Sequence, residues 1–353
     1  MDIEAQIKAL EEEIKRTPYN KATEHHIGRL KAKLARLREE AEKRRKKGGG
    51  VQFSIKKEGD ATVVLVGFPS VGKSTLLNVL TGAKSEVADY NFTTLKPVPG
   101  MLEYKGARIQ IVDVPGLIEG ASKGRGRGKE VISAIRTADM ILLVVDVFNL
   151  HQIDVLKKEL YEGGIRLNQR PPDVTIKKKE RGGIKITSTV PLSIGEDTIM
   201  EILREYRTHN ADVLIREDVT IERLIDAIQG NRVYIPSLTV VNKIDLMDVD
   251  VEGDDVVCIS AQNRVNLDVL VERIYEKLEF IRIYLKPPGG KADEEPLIMR
   301  RGAKVEDVCR KLHRGMLESF RYAKVWGKSV KFQGQRVGLD HVLEDGDVLT
   351  IYA

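Results

Sequence analysis

The chain has 353 residues, with 58 Lys and Arg against 53 Asp and Glu and a formal net charge of +5. That length allows about two or three domains with a sizeable core, and the mild basicity permits an RNA partner without requiring one. Cys258 and Cys309 are the only cysteines, and neither a signal-peptide pattern nor an apolar run approaching ~18 residues occurs, so a soluble, cytoplasmic protein without disulfides or membrane span is expected, its oligomeric state open with a monomer favoured.

Ile3, Ile7, Leu10 and Ile14 recur at helical spacing, Thr17-Pro18-Tyr19-Asn20 breaks the pattern, and Ile27, Leu30, Leu34 and Leu37 resume it. This predicts an antiparallel helical hairpin whose other faces, dense in Lys, Arg and Glu, read as solvated. The adjacent His25 and His26 diverge on such a helix, and no His or Cys spacing in the chain suits a metal. Lys43, Arg44, Arg45, Lys46 and Lys47 then run into Gly48-Gly49-Gly50, a flexible basic hinge able to touch phosphates, which closes a first segment, 1–50.

From Val51 strands alternate with helices, the pattern of an α/β domain with a parallel sheet covered on both faces. The apolar run Ala61 to Val66 leads into Gly67-Phe68-Pro69-Ser70-Val71-Gly72-Lys73-Ser74-Thr75, and Leu76, Leu77, Val79 and Leu80 follow. Strand, tight loop and helix in succession are the setting of a phosphate-binding loop (P-loop) rather than of an ordinary glycine-rich turn. Gly67 and Gly72 let successive N–H groups face an anion, and the helix starting near Lys73 adds its positive end. Lys73 is expected on the β and γ phosphates and the Ser74 hydroxyl on Mg²⁺.

A second strand, Arg108 to Val112, ends in Asp113-Val114-Pro115-Gly116. Asp113 can hold Mg²⁺ through water, and the N–H of Gly116 can meet a γ phosphate. Between the two lies Asn91-Phe92-Thr93-Thr94-Leu95, whose threonine can complete the Mg²⁺ shell only while the γ phosphate is present, the chemistry of a switch. Met140 to Val145, closing on Asp146, is a buried strand, and Leu238 to Val241 is another that delivers Asn242-Lys243-Ile244-Asp245. The Asp245 carboxylate can accept from the N1–H and 2-amino group of guanine, and adenine would leave it unpaired. Val256 to Ile259 leads to Ser260-Ala261, where a backbone N–H can meet guanine O6, and Leu267, Leu270 and Ile274 continue as an amphipathic helix.

Asp146 and Leu238 are too far apart for one helical crossover, so an α+β subdomain is expected at 165–235, inside a nucleotide-binding domain of 51–164 and 236–279. His151 to Tyr161 supplies the crossover helix. Val174 to Ile176 and Ile184 to Thr189 are predicted to form a hairpin around Lys177, Lys178, Lys179, Glu180, Arg181, Gly182 and Gly183, and Ile199 to Tyr206 and Ile221 to Ile228 read as helices. The lysine-rich tip suits RNA contact as well as simple solvation. From Phe280 to the end, a strand with Ile283 and Leu285, a helix with Val305, Val308, Cys309 and Leu312 on one face, and the strands Tyr322 to Trp326 and Asp347 to Tyr352 predict a ubiquitin-like β-grasp, 280–353, with Cys309 as inert core.

The motifs GFPSVGKSTLLN, YNFTTLKPVPG, DVPGLIEGASKGRGRGKE and NKID together resemble the Obg group of GTPases, and within it the developmentally regulated GTP-binding (DRG) family in an archaeal-looking form, over essentially the whole chain. That resemblance implies a P-loop GTPase that binds GTP and GDP with Mg²⁺, hydrolyses GTP slowly and works on ribosomes, rRNA or a translation factor. It makes Thr94 the Mg²⁺-binding threonine, with Thr93 the nearby competitor, and the C-terminal segment a TGS domain; an insertion like 165–235 is also found in the family. The residue after Gly116 is Leu117, which cannot orient the attacking water as a glutamine does. In related enzymes a K⁺ ion replaces an arginine finger, usually with an asparagine of the phosphate loop where this chain has Ser70. Residues 116–128, glycine-rich with Lys123, Arg125 and Arg127, form either a solvated loop or an internal source of an arginine finger. A nucleotide-gated RNA-binding scaffold with incidental hydrolysis is the alternative reading, and an ATPase is opposed by the intact Asn242-Lys243-x-Asp245.

Overall fold

A computed structural model describes the chain apart from residues 1–2, 47–54, 83–97, 115–127, 248, 250, 252 and 314. Thr93, Thr94, Gly116, Leu117, Lys123, Arg125, Arg127 and the Gly48-Gly49-Gly50 hinge therefore lie outside the described residues. The chain divides into two compact units, 1–52 with 169–234 and 53–168 with 235–353.

In the second unit a six-stranded sheet runs in the order Val256–Cys258, Ser237–Asn242, Met140–Asp146, Ala61–Val66, Ala107–Asp113, Val98–Tyr104. The first five of these strands are parallel. Ala61–Val66 and Met140–Asp146 are buried at every position, which is why they read as unbroken apolar runs rather than alternating ones. Val98–Tyr104 is an antiparallel edge strand that sequence reading missed. It is joined to Ala107–Asp113 by Lys105-Gly106, both at positive φ (50° and 83°), the conformation of a two-residue hairpin turn. The registers Leu65↔Asp113 and Asn242↔Asp146 bring the carboxyl ends of the parallel strands to one edge. In open α/β sheets ligands bind at that edge.

The C-terminal segment forms a five-stranded sheet in the order Leu297–Arg300, Phe280–Leu285, Val348–Tyr352, Tyr322–Trp326, Gln335–Val337. The helix Val305–Leu312 buries Val305, Val308 and Cys309 against one face, together with Ile281, Ile283 and Val325. Leu312, expected on that face, is instead 37% exposed in the last turn. Phe280 and Ile298, on the opposite face of the sheet, join the core of the domain built on the six-stranded sheet, and Lys311 pairs with Asp60 at 3.0 Å, so the β-grasp is seated on that domain.

In the first unit Ile3–Arg16 and Glu24–Lys46 form the expected hairpin, closed by Leu10, Leu30 and Leu37 with Ile7, Ile14 and Leu34. A second face of the longer helix is not solvated. Ala32 is fully buried in the core of the insertion beside Ile199, Ile202 and Leu224, Arg36 donates to the backbone oxygen of Glu205 at 2.9 Å, and Lys31 pairs with Glu222. Charges taken as a solvated face thus bridge hairpin and insertion. Val174–Lys178 and Ile184–Ser188 do not form the expected hairpin: Ala211–Ile215 lies between them, antiparallel to the first and parallel to the second. The physical reason is the pattern of Ala211, Val213 and Ile215, buried alternately, which makes this third strand the centre of the sheet.

Candidate nucleotide-binding site

The carboxyl end of Ala61–Val66 opens into the loop 67–72, and the helix Lys73–Thr81 follows it. Two glycines are fixed there by close approach. A Cβ on Gly67 would stand 2.3 Å from the Val144 carbonyl oxygen, and one on Gly72 2.3 Å from Asn242 Nδ2. Gly72 also has φ +94°, which side chains rarely tolerate. Ser70 holds φ 66° as well, a strained conformation for a residue bearing a Cβ.

Lys73 is buried at the start of the helix and donates to the carbonyl oxygens of Gly67 at 3.0 Å and Phe68 at 2.8 Å. Burial lowers its pKa, against the raising influence of Asp113. Its ammonium is thus a desolvated charge whose hydrogen-bond partners are carbonyl dipoles, and an anion entering the loop would be a stronger partner. Ser74 Oγ donates to Asp113 Oδ2 at 2.9 Å, while Asp113 Oδ1 is buried with no hydrogen-bond partner. A hydroxyl and a carboxylate side by side, with one carboxylate oxygen unspent, fit a hard divalent cation such as Mg²⁺, which takes few protein ligands and completes its shell with phosphate and water. Among the described residues no group of three or more His, Cys, Asp or Glu is placed to hold a metal.

Asn242 ties the site together. Its Nδ2 donates to Val71 O at 2.9 Å, and its Oδ1 accepts from the Ala261 N–H at 3.0 Å, both bonds buried. Lys243 Nζ donates to Ser70 O at 2.9 Å and to Asp146 Oδ2 at 3.0 Å. Asp146 is the residue sequence reasoning passed over. Burial raises its pKa, but hydrogen bonds from Asn149 and Lys243 outweigh that and hold it below the ordinary carboxylate value. Its signal was a carboxylate closing a fully apolar strand. Asp245 is exposed on the turn beyond, free of the packing that fixes Asn242, and Ser260 and Ala261 are buried. The structure therefore brings together 67–75, Asp113, Asn242, Lys243, Ser260 and Ala261; Thr94 and Gly116 lie outside the described residues.

A glycine-lined anion cradle at a helix N-terminus, a hydroxyl–carboxylate pair and an Asn-Lys-x-Asp turn on one edge of a parallel sheet are the parts of a P-loop GTPase. Residues 62–178 match the family model described as 50S ribosome-binding GTPase, 181–280 the C-terminal region of the MMR_HSR1 domain, and 281–353 the TGS domain. An uncharacterized GTP-binding protein of Methanocaldococcus jannaschii is 64% identical over 363 residues, covering 99% of this chain and 93% of that protein. Developmentally-regulated GTP-binding protein 1 of Xenopus laevis is 48% identical, covering 98% of each, and Ribosome-interacting GTPase 1 of Saccharomyces cerevisiae 47%, covering 98% and 97%. The chain belongs to the developmentally regulated GTP-binding protein family.

Proposed function

We propose that this GTPase binds GTP with Mg²⁺, hydrolyses it slowly and uses the presence of the γ phosphate to control docking on the ribosome, its RNA or a translation factor. The observation that carries the proposal is the pair of buried hydrogen bonds at Asn242, one donated to Val71 O and one accepted from the Ala261 N–H, because they lock the phosphate loop and the 260–261 turn into one frame. In that frame the N–H groups of 67–75 cradle the phosphates and Lys73 exchanges the carbonyls of Gly67 and Phe68 for phosphate oxygens. Ser74 and Asp113 would hold Mg²⁺, which would supply charge neutralisation to the phosphates. Asp245 accepts from the guanine N1–H and 2-amino group, and Asn242, through the Ala261 N–H, holds the Ser260-Ala261 turn whose backbone lies beside the base.

Thr94 and Gly116 sense the γ phosphate in this reading. Water attacks the γ phosphorus in line, the new O–P bond forms as the bond to the β-phosphate oxygen breaks, the water's proton passes to a phosphate oxygen, and GDP and inorganic phosphate leave. Leu117 offers that water no hydrogen bond, so turnover is slow unless K⁺, an arginine of 116–128 or a partner supplies the missing stabilisation. The ribosomal part is supported by the description of the matching family model and by the name of the yeast relative. It is also supported by the basic stretch made by Lys177 and Lys178 at the end of the strand Val174–Lys178 and by Lys179 and Arg181 just beyond it.

Co-sedimentation with ribosomes under GTP, GDP and a non-hydrolysable analogue, across a salt series, tests it. Binding favoured by the γ phosphate is expected, and no binding in any state would sink the proposal. The alternative, a nucleotide-gated RNA-binding scaffold with incidental hydrolysis, is favoured by Leu117 and predicts RNA affinity that, measured without nucleotide, is little changed by loss of Lys73.

A further inference from the structure

The C-terminal domain carries a surface that nucleotide binding does not use. Residues 319–339 contain five cations, Arg321, Lys324, Lys328, Lys331 and Arg336, and no acidic residue, interleaved with Phe320, Tyr322, Trp326 and Phe332. Strand alternation turns Ala323 and Val325 to the core and leaves Tyr322, Lys324 and Trp326 half-buried on the opposite face. The register places Tyr352 beside Tyr322 and Arg336 beside Lys324.

These side chains form a ladder across three strands. The Arg336 guanidinium lies 3.6 Å from the Tyr322 ring centroid, and Tyr322 stacks on Tyr352 at 4.5 Å with 17° between the planes. Lys324 Nζ stands 5.7 Å from the Tyr352 ring, and Lys286 Nζ 4.6 Å from the Trp326 ring. Among the described residues none of the ammonium, guanidinium, indole or phenol groups of this ladder is in a hydrogen bond or an ion pair. The other end of this sheet face is covered by the nucleotide-binding domain through Phe280 and Ile298, so the surface is confined to the outer three strands.

A sheet face that needed only solvation would balance its cations with carboxylates. Here flat π-faces alternate with unspent donors of one sign, which is complementary to a chain of planar bases on an anionic backbone. We propose that Tyr322, Lys324, Trp326, Arg336 and Tyr352 form a platform for single-stranded RNA, bases stacking on Trp326 and on the Tyr352 end of the ladder while Lys324 and Arg336 meet phosphates. A duplex is a poorer ligand, because its bases are already stacked on one another. The proposal shares only its class of partner with the ribosomal reading and needs neither ribosome nor nucleotide.

The test is fluorescence anisotropy of the full chain with a labelled 12-nucleotide oligouridine, a 12-base-pair RNA duplex and polyglutamate as competitor, over a salt series. Binding of the single strand in preference to the duplex is expected. Trp326→Leu should weaken it at least about fivefold, as loss of one stacked base does. Lys324→Glu with Arg336→Glu should reduce the slope of log affinity against log salt by about 1.4, at about 0.7 per phosphate contact. GTP affinity should not change. If Trp326→Leu fails to fold, Lys324→Gln with Arg336→Gln carries the same test. No single-strand binding, binding unchanged in these variants, or equal displacement by polyglutamate overturns the platform, and ribosome co-sedimentation would stand or fall separately.

Discussion

Asn242→Ala is the perturbation that bears most directly on the frame of the site. The asparagine is 3% exposed and satisfies two groups at once, the Val71 carbonyl oxygen at 2.9 Å and the Ala261 N–H at 3.0 Å. Alanine leaves both buried and unpaired, at about 1–3 kcal/mol each, so a loss of roughly 2–6 kcal/mol is expected without any ligand present. That is a large share of the ~5–15 kcal/mol that holds a typical domain folded. Urea unfolding of nucleotide-free protein followed by circular dichroism reads the loss, and hydrogen exchange at the Ala261 amide reports the same bond locally. A midpoint corresponding to less than about 0.5 kcal/mol of change, with Ala261 protection intact, would refute the claim that Asn242 holds the loop and the 260–261 turn together.

Burial lowers the Lys73 pKa, so the folded chain binds that proton less tightly than the unfolded one. Stability of the nucleotide-free protein should therefore rise with pH between the lowered folded value and the ordinary value near about 10.4. Lys73→Met should flatten that rise, leave the apo protein at least as stable and weaken GTP binding; a pH profile identical to wild type would count against it. Ser74→Ala removes the donor to Asp113 Oδ2 and should abolish most of the Mg²⁺ dependence of GTP affinity, read by titration with and without EDTA. Glu24, 7% exposed, accepts from the Gly195 N–H at 2.9 Å at the start of the helix Glu196–Glu205. Glu24→Ala should cost about 1–2 kcal/mol and speed proteolysis at the hairpin, with guanine-nucleotide affinity unaffected.

The nucleotide-binding domain was legible because its signals are local. Unbroken apolar runs mark strands covered on both faces, and Gly67, Asp113 and Asn242 close such runs or follow them directly. What was not legible depended on contacts between distant segments. Ala211–Ile215 is short, and only its position between two other strands shows that it is the centre of the sheet in the insertion. Arg36 and Lys31 carry charge like any solvated helix, and their role emerges only from Glu205 and Glu222, far along the chain. Asp146 gave a signal, a carboxylate ending a buried strand, but its function is to hold Lys243, a partner that spacing does not reveal.

The central claim is that this site reads guanine and hydrolyses its triphosphate. Steady-state hydrolysis of GTP and of ATP by the purified chain, in potassium and then in sodium buffer, tests it most directly. The account predicts slow turnover of GTP with ATP at background in both salts, and loss of that turnover in Lys73→Met; a rise in potassium would place a cation where Leu117 offers nothing. ATP turned over as fast as GTP, or GTP turnover that survives Lys73→Met, would contradict it.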